Sequence, residues 1–228
     1  MASHLDLEEQ EQLDQFKHFW NRWGNLITWV LIVVLASYAA WMGWQSWQER
    51  QSAQSATLFD TVERAALSGD AALFDRSVSD IKDKFASTTY AYQAALLASR
   101  VYQEKNKPQD AKAQLQWVIE QASDEGYQSL ARLRLSSLLI QDKDFDGARK
   151  LLSAKMPASF EPLVADRLGD LDMLAHQPAE AIKHYQAAWK GMEPSAQYRR
   201  LIAFKMAALG ADPEANAAAE APASGTSK

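Results

Sequence analysis

Residues 168–188 read LGDLDMLAHQPAEAIKHYQAA, and this stretch decides the fold. Apolar residues recur at helical spacing on both sides of the polar turn His176-Gln177-Pro178, which predicts two short helices joined by a tight connection. Gly169 lies in the first helix and Ala181 in the second, and small side chains allow two helices to approach closely. The stretch therefore predicts a helical hairpin.

The same pattern occurs three times along the chain. An alanine follows a polar turn each time, with separations of 37 and 33 residues: Ala111, Ala148 and Ala181. A second small residue stands twelve positions before each alanine: Ser99, Ser136 and Gly169. This period is close to the 34-residue tetratricopeptide unit, in which stacked hairpins bury a common core. An unrelated helical bundle is the alternative interpretation.

Further helices are predicted at both ends of this array. Residues 58–67 and 73–85 form a degenerate hairpin before it, and residues 196–209 form a terminal helix that covers the last apolar face, since end repeats otherwise expose their stacking surface. The predicted repeat domain spans residues 49–209. Residues 210–228 are rich in Ala, Pro, Ser and Gly, which predicts a disordered tail.

Residues 25–48 predict a single membrane-spanning helix. No charged residue occurs between Arg22 and Glu49, and about 20 apolar residues suffice to cross a bilayer. Tryptophans cluster toward the two ends, where aromatic side chains favour the membrane–water interfaces: Trp23, Trp29, Trp41, Trp44 and Trp47. A buried core helix or a cleaved signal peptide would also be apolar, but the length of the stretch and the acidic region before it argue against cleavage.

Residues 1–24 predict a cytoplasmic acidic arm and an interfacial lead-in. Residues 1–15 contain five acidic side chains and no Lys or Arg, so we expect a solvated, partly disordered tail there. Two basic residues flank the span on each side, so the charge rule alone does not orient it. A short N-terminal arm before a large C-terminal domain favours an N-inside, C-outside arrangement.

The composition argues against several classes of function. A net charge of −5 and a pI of about 5.4 leave no broad basic face, so we expect no nucleic-acid partner. The absence of cysteine excludes disulfides and a thiol nucleophile. No phosphate-binding loop or serine elbow occurs, and Asp142, Asp144 and Asp146 lack the downstream glycine and glutamate of a calcium loop. We expect neither an enzyme nor a cofactor or metal.

Six short sequence strings occur along residues 8–209 in the same order as in a known family of proteins. They are Phe16-Lys17-His18-Phe19, Gly43-Trp44-Gln45-Ser46-Trp47, Ala113-Gln114-Leu115-Gln116, Ser123-Asp124-Glu125, Leu133-Arg134-Leu135 and Val164-Ala165-Asp166. In this the chain resembles the bacterial inner-membrane tetratricopeptide proteins of the YfgM type, ancillary subunits of the SecYEG export channel. The long C-terminal tail and the tryptophan-rich span depart from that family.

The resemblance implies a cytoplasmic N-terminus and a periplasmic repeat domain. It also implies association with the SecYEG translocon and with a membrane-anchored periplasmic folding factor of the prolyl-isomerase type, and a holdase-like role for unfolded or translocating polypeptides. A structural scaffold of another cell-envelope complex, which would use the repeat groove for fixed partners, is the alternative function.

The first helix of each tetratricopeptide hairpin lines the concave face of the array. The positions predicted to bind partners there are Leu96, Arg100, Gln103, Leu133, Ser137, Ile140, Asp170 and Met173, with Gln93, Glu104, Leu130, Gln141, Leu163, Asp166 and Leu174 beside them. The apolar members would suit transient contact with unfolded segments, although a shift of one position in helix phase would make the leucines core residues. Arg100 is the only cation in this set, so a grip on C-terminal carboxylates is not expected.

Overall fold

The computed structural model describes residues 7–213, with side chains from residue 17 onward. It contains nine α-helices in that range: α1 Leu7–Ser68, α2 Ala71–Lys84, α3 Thr89–Glu104, α4 Pro108–Gln121, α5 Glu125–Gln141, α6 Phe145–Leu152, α7 Glu161–Leu174, α8 Pro178–Gly191 and α9 Gln197–Ala208. A single 3₁₀ turn, Ala158–Phe160, precedes α7. Residues 7–213 contain no strand, so the predicted all-α fold is confirmed. The predicted tail beyond Pro213 lies outside the described residues.

The chain divides into two compact units, residues 1–54 and 55–228, and the boundary falls within α1. In the first unit, α1 begins at Leu7, so the acidic segment predicted as a partly disordered tail is helical from that residue. Helix formation there is favoured because the segment lies directly before a long helix that it extends, and adding a residue to an existing helix costs far less than nucleating a new one.

The apolar part of α1 has its side chains outside any protein core. Within residues 7–213, α1 is the one helix long and apolar enough to cross a membrane. The five predicted interfacial tryptophans are 46% to 64% exposed, whereas the side chains of a buried core helix would be covered by protein. At about 1.5 Å per residue, Trp23 and Trp47 lie about 36 Å apart along the axis, which exceeds the roughly 30 Å of hydrocarbon in a bilayer.

In the second unit, helices alternate between a first helix (helix A: the end of α1, α3, α5, α7) and a second helix (helix B: α2, α4, α6, α8). A residue with positive φ follows the end of every helix A within two positions, and the same holds after α9: Gly69, Asn106, Lys143, His176 and Gly210. After the three central ones, a backbone N–H bonds the carbonyl five residues back, at 2.8 to 2.9 Å. These closures are Schellman motifs, and they turn the chain back into helix B every 33 to 37 residues.

Helix B begins with its own sequence signal in each central repeat. Pro108 and Pro178 occupy the first turn of α4 and α8, where the missing N–H costs nothing. The Asp144 carboxylate caps α6 by accepting a hydrogen bond from the Gly147 N–H at 3.0 Å, and Asp142 forms an ion pair with Lys112. Local sequence signals therefore set the start of each helix B. Asp142 and Asp144 both have structural roles, one in an ion pair and the other as a helix cap.

The small residues sit where helices A and B approach most closely. Ala111, Ala148 and Ala181 are fully buried. A Cβ atom at Gly169 would lie 2.6 Å from Cε1 of Tyr185, so only glycine fits against that ring. The tetratricopeptide spacing thus corresponds to real close contacts.

Three apolar clusters form the core of the second unit. The largest runs from the end of α1 through α5 and includes Phe74, Ile81 and Leu115. Two smaller clusters lie further along the chain, one centred on Tyr185, Ile202 and Met206, and the other containing Leu133, Ala148, Leu152 and Leu171. The apolar core is therefore concentrated in the N-terminal repeats.

Candidate binding surface

The predicted partner-binding residues on α3 differ in their exposure to solvent. Leu96 is only 6% exposed and belongs to the apolar core, so it offers little surface to a ligand. Arg100 is exposed and pairs with Glu104 at 3.5 Å. Gln103 donates its side-chain amide to the Ser99 carbonyl at 3.2 Å. Two of these three side chains are thus open to solvent, and Leu96 is a core residue because its helix face meets the neighbouring hairpins.

A cavity of about 200 Å³ opens between α5 and α7, and we name it the α5–α7 cavity. Its lining residues are Leu130, Leu133, Arg134, Ser137, Leu163, Arg167 and Tyr198. Of the predicted partner-binding positions it brings together Leu133 and Ser137, with Leu130 and Leu163 from the positions beside them. Ile140 lies further along α5, half-buried against the third apolar cluster. Met173 is 37% exposed near the end of α7, outside the cavity.

Two arginines flank the apolar floor of the α5–α7 cavity. Arg167 donates to Asp170 at 3.1 Å. Arg134 has no ion pair or hydrogen bond with any residue in the part of the chain described here. Burial, together with the nearby positive charge of Arg100, lowers the pKa of Arg134. An uncompensated guanidinium therefore stands beside a leucine-lined surface.

Asp170, predicted as a partner-binding residue, is instead engaged in holding helices together. Its carboxylate accepts hydrogen bonds from Tyr185 at 2.8 Å and from Lys205 at 2.7 Å. The neighbouring Asp166 is buried and accepts from Lys205 and from Tyr198, both at 2.7 Å. Burial and this hydrogen bond raise the pKa of Tyr198 to about 12. Asp166 and Asp170 thus hold α9 against α7 through Tyr198 and Lys205.

Asp172, also on α7, joins the helices on the opposite side. It pairs with Arg149 of α6 at 2.8 Å and with Nδ1 of His184 of α8 at 2.6 Å. Burial works against the charge of this carboxylate, but the hydrogen bonds from Arg149 and His184 outweigh it, and the pKa of Asp172 lies below its usual value. This histidine is therefore part of a structural network.

The structure shows residues that the sequence analysis missed. Arg134 and Arg167 line the cavity although Arg100 was the only cation counted on this face. The signal was present, because the two arginines are 33 residues apart and each stands two positions before the small residue of its repeat. Tyr198 was missed since it reaches the cavity from α9, which a repeat alignment of helix A alone does not include.

A second cavity, of about 620 Å³, lies between α4, α5 and α6. Its lining residues are Gln109, Lys112, Ala113, Gln116, Leu135, Leu139, Gly147, Lys150, Leu151 and Ala154. It is wide because α6 has 8 residues where α4 and α8 have 14, so less helix covers α5. No pattern in the sequence indicates this cavity, since helix length depends on packing as well as on caps.

Catalytic or metal-binding chemistry would require histidine and acidic side chains that lie close together. Within the described residues no group of three His, Cys, Asp or Glu side chains could hold a metal ion. His184 is engaged with Asp172, and His176 occupies the positive-φ turn after α7. Both histidines therefore take part in the helical framework.

Comparison with known proteins gives a consistent picture. Residues 17–211 match the family described as a tetratricopeptide repeat-like domain. An "Ancillary SecYEG translocon subunit" of Neisseria gonorrhoeae is 29% identical over 154 residues, which cover 68% of this chain and 74% of that protein. A protein of the same name from Escherichia coli is 33% identical over 91 residues, which cover 39% of this chain and 44% of that protein.

Proposed function

The chain belongs to the tetratricopeptide repeat-like family, and on that premise we propose that it is an ancillary subunit of the SecYEG translocon. The observation that carries this proposal is the joint presence of one apolar, tryptophan-flanked helix and a repeat domain with an open, leucine-lined cavity. The two relatives named as translocon subunits support it. A binding role also accords with the family, whose repeats are non-catalytic.

Within that assignment, the repeat domain acts as a holdase for polypeptides that emerge from the channel. The half-buried Leu130 and Leu163 and the buried Leu133 give the α5–α7 cavity an apolar lining. Such a lining suits short apolar segments, since transient contacts require only loose complementarity. The partners on this proposal are the translocon, translocating chains, the lipid bilayer and a membrane-anchored periplasmic prolyl-isomerase-like chaperone.

The proposed placement is the bacterial inner membrane, with residues 1–24 in the cytoplasm and the repeat domain in the periplasm. The absence of cysteine allows a direct test of this orientation. Single cysteines placed at Ser3 or Ser79 of the full chain would be treated in intact cells with a membrane-impermeant maleimide. We expect labelling at Ser79→Cys and none at Ser3→Cys until the membrane is opened; the reverse pattern would reject the orientation.

Photo-crosslinking of the full chain tests the holdase role. A photo-reactive residue at Ser137, inside the α5–α7 cavity, should capture a secretory polypeptide arrested in the channel. The same residue at Ser79, exposed on α2, is the matched control. Capture at both positions alike, or at neither while the chain still co-purifies with the channel, would reject the cavity as the binding surface.

The alternative is a scaffold for a different envelope complex. It is favoured by the second cavity, about 620 Å³ in volume, which offers a surface for a fixed partner. Purification from solubilised membranes separates the two functions: recovery of one folded complex that lacks the channel supports the scaffold, and recovery of the channel supports the leading proposal.

A further inference from the structure

Arginines stand on three successive helices A of the repeat domain. Arg134 of α5 and Arg167 of α7 line the same cavity. Arg100 of α3 is near enough to Arg134 for its charge to lower the pKa of Arg134, in addition to the larger effect of burial. Like charges repel, so this row carries an electrostatic cost when no anion is present.

The charges of this region do not balance locally. Arg167 and Lys205 together offset the two carboxylates Asp166 and Asp170, to which they are bonded. Arg100 pairs with Glu104, but their side chains are 69% and 64% exposed, and such exposed pairs exchange readily because they are worth little. Arg134 remains without a carboxylate partner in the described chain, and its guanidinium is the surplus charge.

The surroundings of Arg134 favour one kind of ligand. Leu130, Leu133 and Leu163 form an apolar surface next to its guanidinium. A bound apolar segment would remove water from Arg134 and leave its donors unsatisfied, which is costly for a charged group. A segment that also supplies a carboxylate would instead form a charge-assisted, bidentate contact in a region where water is partly excluded.

From this we propose that the α5–α7 cavity selects internal polypeptide segments in which an Asp or Glu side chain is flanked by apolar residues. This inference rests on the proposed function, which makes the same face the polypeptide-binding surface. Neighbouring helices pack about 8–10 Å apart, and an extended chain advances about 3.3 Å per residue. A second carboxylate about three residues away therefore reaches Arg100 while the first engages Arg134.

The test uses the full chain in lipid nanodiscs and short fluorescein-labelled peptides, with empty nanodiscs as the blank. One peptide is leucine-rich with two Glu residues three positions apart, the second has Gln in place of both, and both have amidated C-termini. Binding is followed by fluorescence anisotropy. We expect the Glu peptide to bind about tenfold more tightly than the Gln peptide, because charge-assisted contacts are stronger than neutral ones.

Two substitutions locate the effect. Arg134→Gln should reduce the affinity for the Glu peptide to that for the Gln peptide, and leave the Gln peptide unchanged. Arg132→Gln, on the same helix but outside the cavity lining, removes the same charge and should leave the preference intact. Hydrogen exchange of α5 in both variants verifies that the fold is retained.

The outcomes separate this inference from the proposed function. Equal binding of the two peptides, unaffected by Arg134→Gln, overturns the inference while the holdase role stands. Failure of every peptide to bind overturns both. A third peptide, the Gln peptide with a free C-terminal carboxylate, tests recognition of chain ends. If it binds and neither amidated peptide does, the cavity binds C-termini, and the inference of internal segments is overturned while the binding role stands.

Discussion

The two ends of the repeat domain are stabilised in different ways. From the end of α1 to α5, the core is apolar, and the buried polar side chains there are hydroxyl groups such as Ser99 and Ser136. From α7 to α9, two carboxylates, Asp166 and Asp172, are 1% to 2% exposed, and both are satisfied by cations on neighbouring helices. The hydrophobic effect is non-directional, whereas the ion pairs and hydrogen bonds of these carboxylates require specific partner side chains.

This difference follows the position in the array. A solenoid needs a special arrangement at its end, because the last repeat has no neighbour to bury its face. Here α9 is held by Lys205, which bridges Asp166 and Asp170, and by Arg199, which lies 3.8 Å above the Trp189 ring of α8. The N-terminal repeats should therefore respond mainly to loss of volume, and the C-terminal helices mainly to loss of charge partners.

Phe74→Ala should give the largest loss of stability. Phe74 is fully buried and meets the Tyr102 ring edge-on at 5.9 Å, so its removal leaves a cavity that costs about 3–5 kcal/mol. Hydrogen exchange on the full chain should show faster exchange in α2 and α3, and little change in α8 and α9, since repeats contact only their neighbours. Leu73→Ala, at a position 43% exposed, is the control. An equal change in all helices would show that the domain opens as one unit.

Asp166→Ala should give the second-largest loss of stability, and the effect should be confined to the C-terminal helices. The substitution leaves Tyr198 without its acceptor and Lys205 with one carboxylate in place of two, which costs about 2–3 kcal/mol. Exchange should accelerate in α7 and α9. The double substitution Asp166→Ala with Lys205→Met should cost less than the sum of the two single substitutions, since each single substitution already removes the contact between Asp166 and Lys205. Simple additivity of the two would contradict a network.

The hairpins were predictable because their signals are local. Turn chemistry at Asn106, Lys143 and His176, and prolines at the start of α4 and α8, act over a few residues. Small residues at the helix crossings recur with the repeat period, so spacing alone identifies them. The hairpins could therefore be read from spacing and turn residues without knowledge of which helices touch.

The binding surface was less predictable because it depends on distant contacts. Leu96 and Leu133 share a position in the repeat and both are buried core residues, but Leu133 also borders the α5–α7 cavity. Whether a residue at this repeat position also borders a cavity depends on which neighbouring helices cover its side of helix A. Asp170 is engaged by Lys205, 35 residues further along the chain, and no pattern within α7 indicates that partner. Helix phase and remote pairing are decided by packing.

Acid should loosen the C-terminal helices before the N-terminal ones. The folded pKa of Asp172 is below its unfolded value, so its stabilising contribution is complete above the unfolded value and is lost as the pH falls through the folded one. As the pH falls below the ordinary range of an aspartate carboxyl, about 4, exchange in α6 and α8, corrected for intrinsic rates, should rise relative to α3 and α4. Asp172→Asn should reduce this difference; an unchanged pH response in that variant would assign it to other groups.

The smallest effect should come from an exposed pair at the same end of the domain. Lys183 and Glu180 are 2.7 Å apart, but their side chains are 68% and 51% exposed, so Lys183→Ala should change the opening free energy of α8 by less than about 0.5 kcal/mol. Lys205→Ala, which removes a side chain only 23% exposed, should change that of α9 several times more. Each of the two substitutions removes one lysine, from α8 or from α9. Equal losses of opening free energy would therefore mean that the burial of a lysine in its ion pair does not affect its contribution to stability.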